Sequence, residues 1–213
     1  MVAVMREDSS DMRQQLERVS AGDQAALAAI FEQYRPRLRQ MVQLRLDRRL
    51  QGRLDPSDVL QDAFVEISRR GAEYARRPEM PFFLWLRMIT GQKLLEIHRR
   101  HLGTQQRDAG REISICQSYP EVSSRLLASQ LLGRFSTASH AAMRAEQQVR
   151  LEEILNGLEP IDREILTLRH FEELSNSEVA QVLGLSKSAA SNRYIRALSR
   201  LKNHLTDSPG FFA

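Results

Sequence analysis

The sequence predicts an all-α protein made of two small helical domains joined by a flexible linker, the C-terminal domain being a helix-turn-helix. Apolar residues recur at steps of three and four, while β-branched residues are scattered and no alternating run persists. Capping residues precede several of the periodic segments. With 213 residues and 42% hydrophobic content, the chain can bury one large core or two small ones, and its layout favours two.

A change in composition divides the chain. Between two helical regions lies a stretch rich in Ser, Gln and Ala that contains no lysine, which is typical of a linker. The segment SRLLASQLL inside it is compatible with a short helix. We therefore expect an N-terminal segment, an N-terminal domain, a linker, a C-terminal domain and a tail, at residues 1–22, 23–102, 103–143, 144–205 and 206–213 respectively.

Three helices are predicted in the N-terminal domain. Asp23 is the N-cap of the first, which Pro36 kinks or restarts. Asp55 caps the second, with a proline at its first helical position and a carboxylate three residues after the cap. A loop at residues 71–81 then leads to a longer third helix, from about residue 82 to residue 101.

Three or four helices are predicted in the C-terminal domain, and the last two form the helix-turn-helix. Ser175 and Glu178 form a capping box. Gly184 can adopt the left-handed conformation that ends a helix, and Ser186 caps the next one. That last helix contains five basic residues and no acidic residue. Its polar outer face consists of Lys187, Ser188, Ser191, Asn192 and Arg196.

This outer face favours DNA binding. Short polar side chains near the start of a recognition helix reach base edges in the major groove, while Lys and Arg contact phosphates or guanine. The alternative is a solvated helical hairpin that only packs against the rest of its domain. The motif alone does not separate a repressor, a recombinase module and a transcription initiation factor.

Charge is arranged in blocks along the chain. The excess of 31 Lys and Arg over 27 Asp and Glu, with a pI near 9.6, suits an anionic partner. Residues 55–66 nevertheless carry four acids and no base. An acidic surface repels DNA phosphates, so we expect it to meet a basic protein surface. The outward positions at i, i+3, i+4 and i+7, here named the acidic stripe, are Asp58, Gln61, Asp62 and Val65.

The helix FFLWLRMITGQKLLEIHRRH combines aromatic side chains with cations, an arrangement by which proteins hold unstacked single-stranded bases. A buried, structural Trp85 is the more common outcome for such a residue. His98 and His101 lie three residues apart with no further metal ligand nearby, so we expect exposed partners for phosphate rather than a metal site.

Several classes of protein are excluded or disfavoured. Cys116 is the sole cysteine, so neither an intrachain disulfide nor a cysteine-rich metal site can form, and no cofactor is expected. The N-terminus MVAVMREDSSDMRQQL lacks the apolar core of a signal peptide, and no apolar run approaches the roughly 20 residues that span a bilayer. We expect a cytoplasmic protein without membrane insertion.

The order of LDPSDVLQDAFVEI, a loop, WLRMITGQKLLEIHRR, a linker and the helix-turn-helix resembles the extracytoplasmic-function group of bacterial sigma factors, over about residues 20–102 and 145–204. The resemblance implies a non-enzymatic subunit that binds core RNA polymerase through its largest and second-largest subunits. It also implies recognition of promoter DNA, both duplex and melted, and restraint by an anti-sigma factor or another regulator. Ser57, read as exposed, is a candidate phosphorylation site.

The resemblance assigns three groups of residues, one for each contact. Those matching the core polymerase-binding motif are Asp55, Asp58, Val59, Gln61, Asp62 and Phe64. Those matching the minus-ten element reader are Trp85, Arg87, Gln92, Lys93, His98, Arg99 and Arg100. Those matching the minus-thirty-five element reader are Lys187, Ser188, Ser191, Asn192, Arg193 and Arg196. The loop at residues 74–82 would contribute a pocket for a flipped-out base.

The sequence departs from the family pattern at several of these positions, so the promoter sequence is not transferable. Two other classes of protein are the alternatives. A stand-alone helix-turn-helix regulator with an N-terminal sensing or dimerisation domain would bind duplex DNA tightly without polymerase. A nucleic-acid enzyme would need carboxylates gathered around a metal, or an activated Ser or Tyr, whereas Asp55, Asp58 and Asp62 follow one another along one helix.

Overall fold

The computed structural model describes residues 10–102, 120–135 and 141–206. Regular structure within these ranges is helical, apart from an isolated bridge between Gln51 and Leu54, so the all-α prediction is confirmed. The chain divides into two compact units, Met1–Pro120 and Glu121–Ala213.

The first unit contains four helices, which are α1 (Ser10–Ser20), α2 (Gln24–Arg45), α3 (Pro56–Arg76) and α4 (Phe82–Leu102). Helices α2, α3 and α4 all pack on one another, and α1 packs on α2 and α3. Helix α1 lies in the N-terminal segment, for which no helix was predicted. It buries Met12 and Val19 and so adds to the core of this unit.

Local capping chemistry fixes where these helices start. The Asp23 carboxylate accepts a 3.0 Å hydrogen bond from the backbone N–H of Ala26, as predicted. The Asp55 carboxylate accepts one of 2.7 Å from the backbone N–H of Ser57, and the Asp58 carboxylate accepts one of 2.9 Å from the backbone N–H of Asp55. This capping box starts α3. Pro36 lies inside α2, which continues from Gln24 to Arg45.

The connection between α3 and α4 is shorter than predicted. Helix α3 continues to Arg76, so the expectation of a loop beginning at Gly71 is wrong. A Cβ atom on Gly71 would lie 2.8 Å from Cδ2 of Leu27 and 3.6 Å from Cγ1 of Val19. The glycine therefore permits close packing of α3 on α2 and α1. From a single sequence, a glycine with this role cannot be distinguished from one that ends a helix.

The second unit contains α5 (Ser124–Phe135), α6 (Ala141–Asn156), α7 (Pro160–His170), α8 (Asn176–Leu183) and α9 (Lys187–Thr206). Helix α5 packs on α6, and α9 packs on α6, α7 and α8. Helix α5 is the short helix anticipated inside the linker. It falls in the second unit, ahead of residue 144, where the C-terminal domain was expected to begin.

The predicted helix-turn-helix is formed by α8 and α9. The Ser175 hydroxyl accepts a hydrogen bond from the Glu178 backbone, and the Glu178 carboxylate accepts one of 2.6 Å from the Ser175 backbone, which completes the capping box. Gly184 ends α8 with φ at +63°. The Ser186 hydroxyl then accepts a hydrogen bond from the backbone N–H of Ala189 and caps α9. These predictions are confirmed.

Candidate functional site

The acidic stripe lies on the exposed face of α3. Asp58, Gln61 and Asp62 are exposed, and Val65 leaves 51% of its surface open. Residues on the opposite face of the helix, Leu60, Ala63 and Ile67, are buried. The period of 3.6 residues thus produces the two faces that the sequence indicated.

The carboxylates of this region do not have equal freedom. Asp58 and Asp55 are used in the capping box, and Asp55 also lies 3.9 Å from Arg39. Hydrogen bonds from Ser57, with a smaller contribution from Arg39, hold the pKa of Asp55 below its ordinary value. Asp62 forms no ion pair with any residue that the structure describes. It is therefore the carboxylate of the stripe that is most available to a partner.

Two residues assigned to polymerase binding lie partly or fully inside the first unit. Val59 is buried, so it packs α3 onto the core and presents no surface to a partner in this conformation. Phe64 is half-buried and packs on Phe31, with ring centroids 4.8 Å apart.

A groove of about 250 Å³ runs beside the stripe, between α2 and α3. Its walls combine apolar and polar side chains: Ala28, Phe31, Glu32, Arg35, Ser57, Leu60, Gln61 and Phe64. Ser57 is half-buried in this wall rather than exposed, because it occupies the first turn of α3 behind the cap.

Trp85 and Arg87, assigned to the minus-ten element, lie in the core of the first unit. Trp85 is 5% exposed and Arg87 is 1% exposed. Trp85 stacks on Tyr74, with ring centroids 4.5 Å apart, and contacts Phe82 at 5.6 Å. The hydroxyl of Tyr74 donates a 2.6 Å hydrogen bond to the carbonyl of Met80, which closes the loop before α4.

The remaining residues of this group lie along the second half of α4. Gln92, Arg99 and Arg100 are exposed, and Gln92 and Arg99 share one face because they are seven residues apart. The Lys93 ammonium lies 2.9 Å from the Glu96 carboxylate. The basic end of α4 is therefore open to an anionic partner.

The expectation that His98 is exposed was wrong. His98 is half-buried, and its Nε2 atom accepts a 3.3 Å hydrogen bond from the backbone N–H of Asp47. Burial lowers the pKa of His98 below its ordinary value, with Asp47 opposing the shift and Arg49 adding to it. His98 thus ties α4 to the segment after α2 as a neutral imidazole, whereas His101 is exposed.

The outer face of α9 is built as the sequence indicated. Lys187, Ser188, Asn192 and Arg196 are exposed, and Ser191 is half-buried. Ala190 and Ala197 are buried on the opposite face. Because Ser186 caps α9, the helix presents these short polar side chains close to its N-terminus.

Arg193 differs from the other residues assigned to the minus-thirty-five element. Its Nη1 atom lies 2.8 Å from the Asp162 carboxylate and 2.9 Å from the Glu159 carboxylate, both at the start of α7. Arg200, seven residues further along α9, binds the same two acids. The family resemblance assigned Arg193 to the minus-thirty-five element, and the sequence did not reveal these partners, because they lie more than thirty positions earlier in the chain.

Ile195, which was not among the predicted site residues, lies on the outer face of α9. It is 57% exposed, which is unusual for a large β-branched side chain. With Ser188, Asn192 and Ser199 it follows the helical steps i, i+4, i+7 and i+11. The signal available in the sequence was this periodicity, which places an apolar residue in the middle of the polar face.

Within the ranges that the structure describes, no group of three or more His, Cys, Asp or Glu side chains is placed to hold a metal ion. None of the described helices combines the length and the apolar character needed to cross a bilayer. Cys116 and most of the predicted linker lie outside the described residues.

Comparison with known proteins identifies relatives over most of the chain. Residues 9–207 match the ECF sigma factor family. The chain is 29% identical over 188 residues to the ECF RNA polymerase sigma factor SigD of Mycobacterium tuberculosis strain H37Rv, covering 87% of this chain and 79% of SigD. It is 37% identical over 70 residues to the RNA polymerase sigma-E factor of Streptomyces avermitilis, covering 33% of this chain and 36% of that protein.

A solved structure shares the fold. CnrH, in complex with the cytosolic domain of CnrY, aligns with a TM-score of 0.54 and 22% identity, over 92% of this chain and 97% of CnrH. Because the family match spans nearly the whole sequence, the protein belongs to the ECF sigma factor family, non-enzymatic proteins that bind RNA polymerase and direct the initiation of transcription.

Proposed function

We propose that this sigma factor docks on a basic surface of the largest polymerase subunit through the acidic stripe and reads duplex promoter DNA through the outer face of α9. One observation carries the proposal: the chain presents an exposed acidic face on α3 and an exposed, acid-free face on α9. A protein surface and a nucleic acid are the partners that match these two charges.

The docking role is supported by the freedom of Asp62 and by the apolar side chains around it. Val65 extends the stripe, and the adjoining groove can receive an apolar side chain of a partner. Charged groups set the orientation and the rate of association, while buried apolar contacts supply affinity. Val59 contributes by holding α3 in place.

Duplex reading by α9 is supported by Ser188, Asn192 and Arg196, which are exposed on the first half of the helix. These side chains can hydrogen-bond to base edges or to phosphates. Ile195 lies between them and supplies an apolar surface suited to the methyl group of thymine.

For the minus-ten element, the structure favours Gln92, Arg99 and Arg100 as the contacts of α4, because they are exposed. We assign Trp85 and Arg87 to the core that supports this helix in the free chain. For Trp85 to contact a melted base, its stack with Tyr74 would have to open. The partners present when this happens are the melted DNA and the second-largest polymerase subunit.

Restraint by a partner protein is supported at the level of the fold. CnrH was solved in complex with the cytosolic domain of CnrY. We propose that an anti-sigma protein likewise binds this chain and restrains it.

In vitro transcription tests the proposed function most completely. The full chain is added to purified bacterial core polymerase with a library of promoters, and transcripts are sequenced. We expect start sites at promoters that share an upstream and a downstream element. A chain that selects no start site with core enzyme, yet binds a duplex operator tightly alone, would instead be a stand-alone regulator.

A further inference from the structure

Four charged side chains form a closed cluster between α7 and α9. The Nη1 atom of Arg193 lies 2.9 Å from Oε2 of Glu159 and 2.8 Å from Oδ1 of Asp162. The Nη1 atom of Arg200 lies 3.1 Å from Oε1 of Glu159 and 2.9 Å from Oδ2 of Asp162. Each carboxylate oxygen thus pairs with one guanidinium group, and each guanidinium group contacts both acids.

The burial of Asp162, one of its four members, makes this cluster costly to open. The Asp162 side chain is 2% exposed, and a buried carboxylate without its cations carries a large desolvation penalty. Hydrogen bonds to Glu159 and Asp162 raise the pKa of Arg193, and hydrogen bonds from Arg193 and Arg200 lower the pKa of Glu159. Both shifts stabilise the charged forms that hold the cluster together.

The cluster lies on a different side of α9 from the outer face. Arg193 and Arg200 are seven residues apart and form one stripe, next to the buried Ala190 and Ala197. Ile195, in the middle of the outer face, is two positions from Arg193 and therefore about 200° around the helix. Because α7 holds Arg193 on one side of α9, the rotation of α9 about its axis is fixed. That rotation determines which side chains the opposite side presents.

We propose that Asp162 and Glu159 are positioning residues for promoter recognition, and that Arg193 orients α9 instead of contacting DNA. The proposal rests on the proposed role of α9 in reading duplex DNA. It reassigns Arg193, which the family resemblance places among the DNA contacts, and it leaves Lys187 and Arg196 as the cations assigned to the minus-thirty-five element.

The test uses holoenzyme reconstituted from the full chain and core polymerase, on a duplex promoter chosen by in vitro transcription and on the same promoter with its upstream element scrambled. Binding is measured against KCl concentration for Arg193→Gln, Asp162→Asn and the double variant Lys187→Gln/Arg196→Gln. A phosphate contact contributes about 0.9 to the slope of log affinity against log salt.

For Arg193→Gln we expect an unchanged salt slope and a loss of discrimination between the two promoters, on the order of tenfold, or about 1.4 kcal/mol. Asp162→Asn should lose discrimination in the same way, and combining it with Arg193→Gln should add little because the residues act as one unit. A fall in slope of about 0.9 for Arg193→Gln, or better discrimination with Asp162→Asn, would overturn the proposal, since either identifies Arg193 as a DNA contact.

Two controls separate the explanations. Leu127→Ala removes a buried side chain of α5 in the same unit, and it should lower thermal stability while retaining discrimination.

Lys187→Gln/Arg196→Gln should lower the salt slope, by up to about 1.8 if both cations contact phosphates. If that double variant changes neither slope nor discrimination, the proposed role of α9 fails. If it lowers the slope and Arg193→Gln does so too, only the positioning role fails. If Asp162→Asn does not fold, the salt slope of Arg193→Gln still decides whether Arg193 contacts DNA or positions α9.

Discussion

Tyr74 stacks on Trp85 with ring centroids 4.5 Å apart and an angle of 22° between the ring planes. The two residues come from the end of α3 and the start of α4, so the stack fixes how the chain turns between the helices. Trp85 is the sole tryptophan of the sequence. Its fluorescence therefore reports on the folding of the first unit alone.

Substitution of Tyr74 by phenylalanine tests the hydrogen bond that closes this turn. Tyr74→Phe retains the stack but removes the 2.6 Å hydrogen bond to the Met80 carbonyl. We expect the free energy of unfolding of the first unit to fall by about 0.5–1.5 kcal/mol. Urea unfolding followed by Trp85 fluorescence measures it. An unchanged urea midpoint would mean that the hydroxyl contributes nothing to the turn.

Close helix packing at Gly71 predicts an asymmetry between two helical glycines. Gly71→Val places methyl groups against Leu27 and should destabilise the first unit by about 1–3 kcal/mol through overpacking. Gly133→Val is the control, because no described atom beyond its chain neighbours and the backbone of α5 lies within 4 Å of a Cβ added there. Thermal unfolding followed by circular dichroism should show a loss for Gly71→Val only. Equal effects of the two substitutions would contradict the packing account.

The burial of His98 predicts a pH dependence of stability. Because the folded-state pKa is below the ordinary value near 6.5, the unfolded chain takes up the proton first as pH falls. The contribution of His98 is thus full above pH 6.5 and is lost as pH falls from 6.5 toward the folded-state pKa. We expect the urea midpoint, read by Trp85 fluorescence, to be lower at pH 5.5 than at pH 7.5.

Two variants assign this pH dependence to its source. His98→Gln keeps an acceptor for the backbone N–H of Asp47 but does not titrate, so the difference between the two pH values should shrink. His101→Gln alters an exposed histidine of the same helix and should leave the difference as it is. A pH difference that survives in His98→Gln would place the titrating group elsewhere.

Ile195 makes a prediction about promoter sequence. If its side chain contacts a thymine methyl group, replacing that thymine by uracil should weaken holoenzyme binding to the promoter, by a few-fold for the loss of about one buried methyl. In Ile195→Ala the same replacement should have no effect. A scan with single uracil substitutions across the upstream element finds the position. Identical scans for wild type and variant would exclude the contact.

The features that the sequence predicted correctly are those set by neighbouring residues. The Asp55 cap with a carboxylate three residues later, and the capping box of Ser175 with Glu178, need only three residues of context, and both caps are present in the structure. The two faces of α3 and α9 follow from the helical period in the same way. The acidic stripe and most of the outer face of α9 were therefore predictable.

The features that the sequence missed depend on residues far apart in the chain. Gly71 was predicted to begin a loop because the sequence does not show its contact with Leu27. Arg193 was assigned to the DNA contacts because the sequence does not show its ion pair with Asp162. His98 reads as exposed because its partner is the backbone of Asp47, which no side-chain pattern reveals. Tertiary contacts decide each of these cases.

The central claim is that the acidic stripe binds core polymerase, and Asp62→Arg tests it most directly. Asp58 is a poorer choice, because its carboxylate also caps α3 and its loss would weaken the helix itself. Glu73→Arg is the matched control, since it makes the same charge change on the same helix, roughly 16 Å further along the axis.

The measurement is the affinity of the full chain for purified core polymerase, with Trp85 fluorescence used to verify that each variant is folded. We expect Asp62→Arg to weaken association by at least about tenfold, because it places a cation against a basic surface, and Glu73→Arg to leave it unchanged. Wild-type affinity in Asp62→Arg, or an equal loss in both variants, would contradict docking through the acidic stripe.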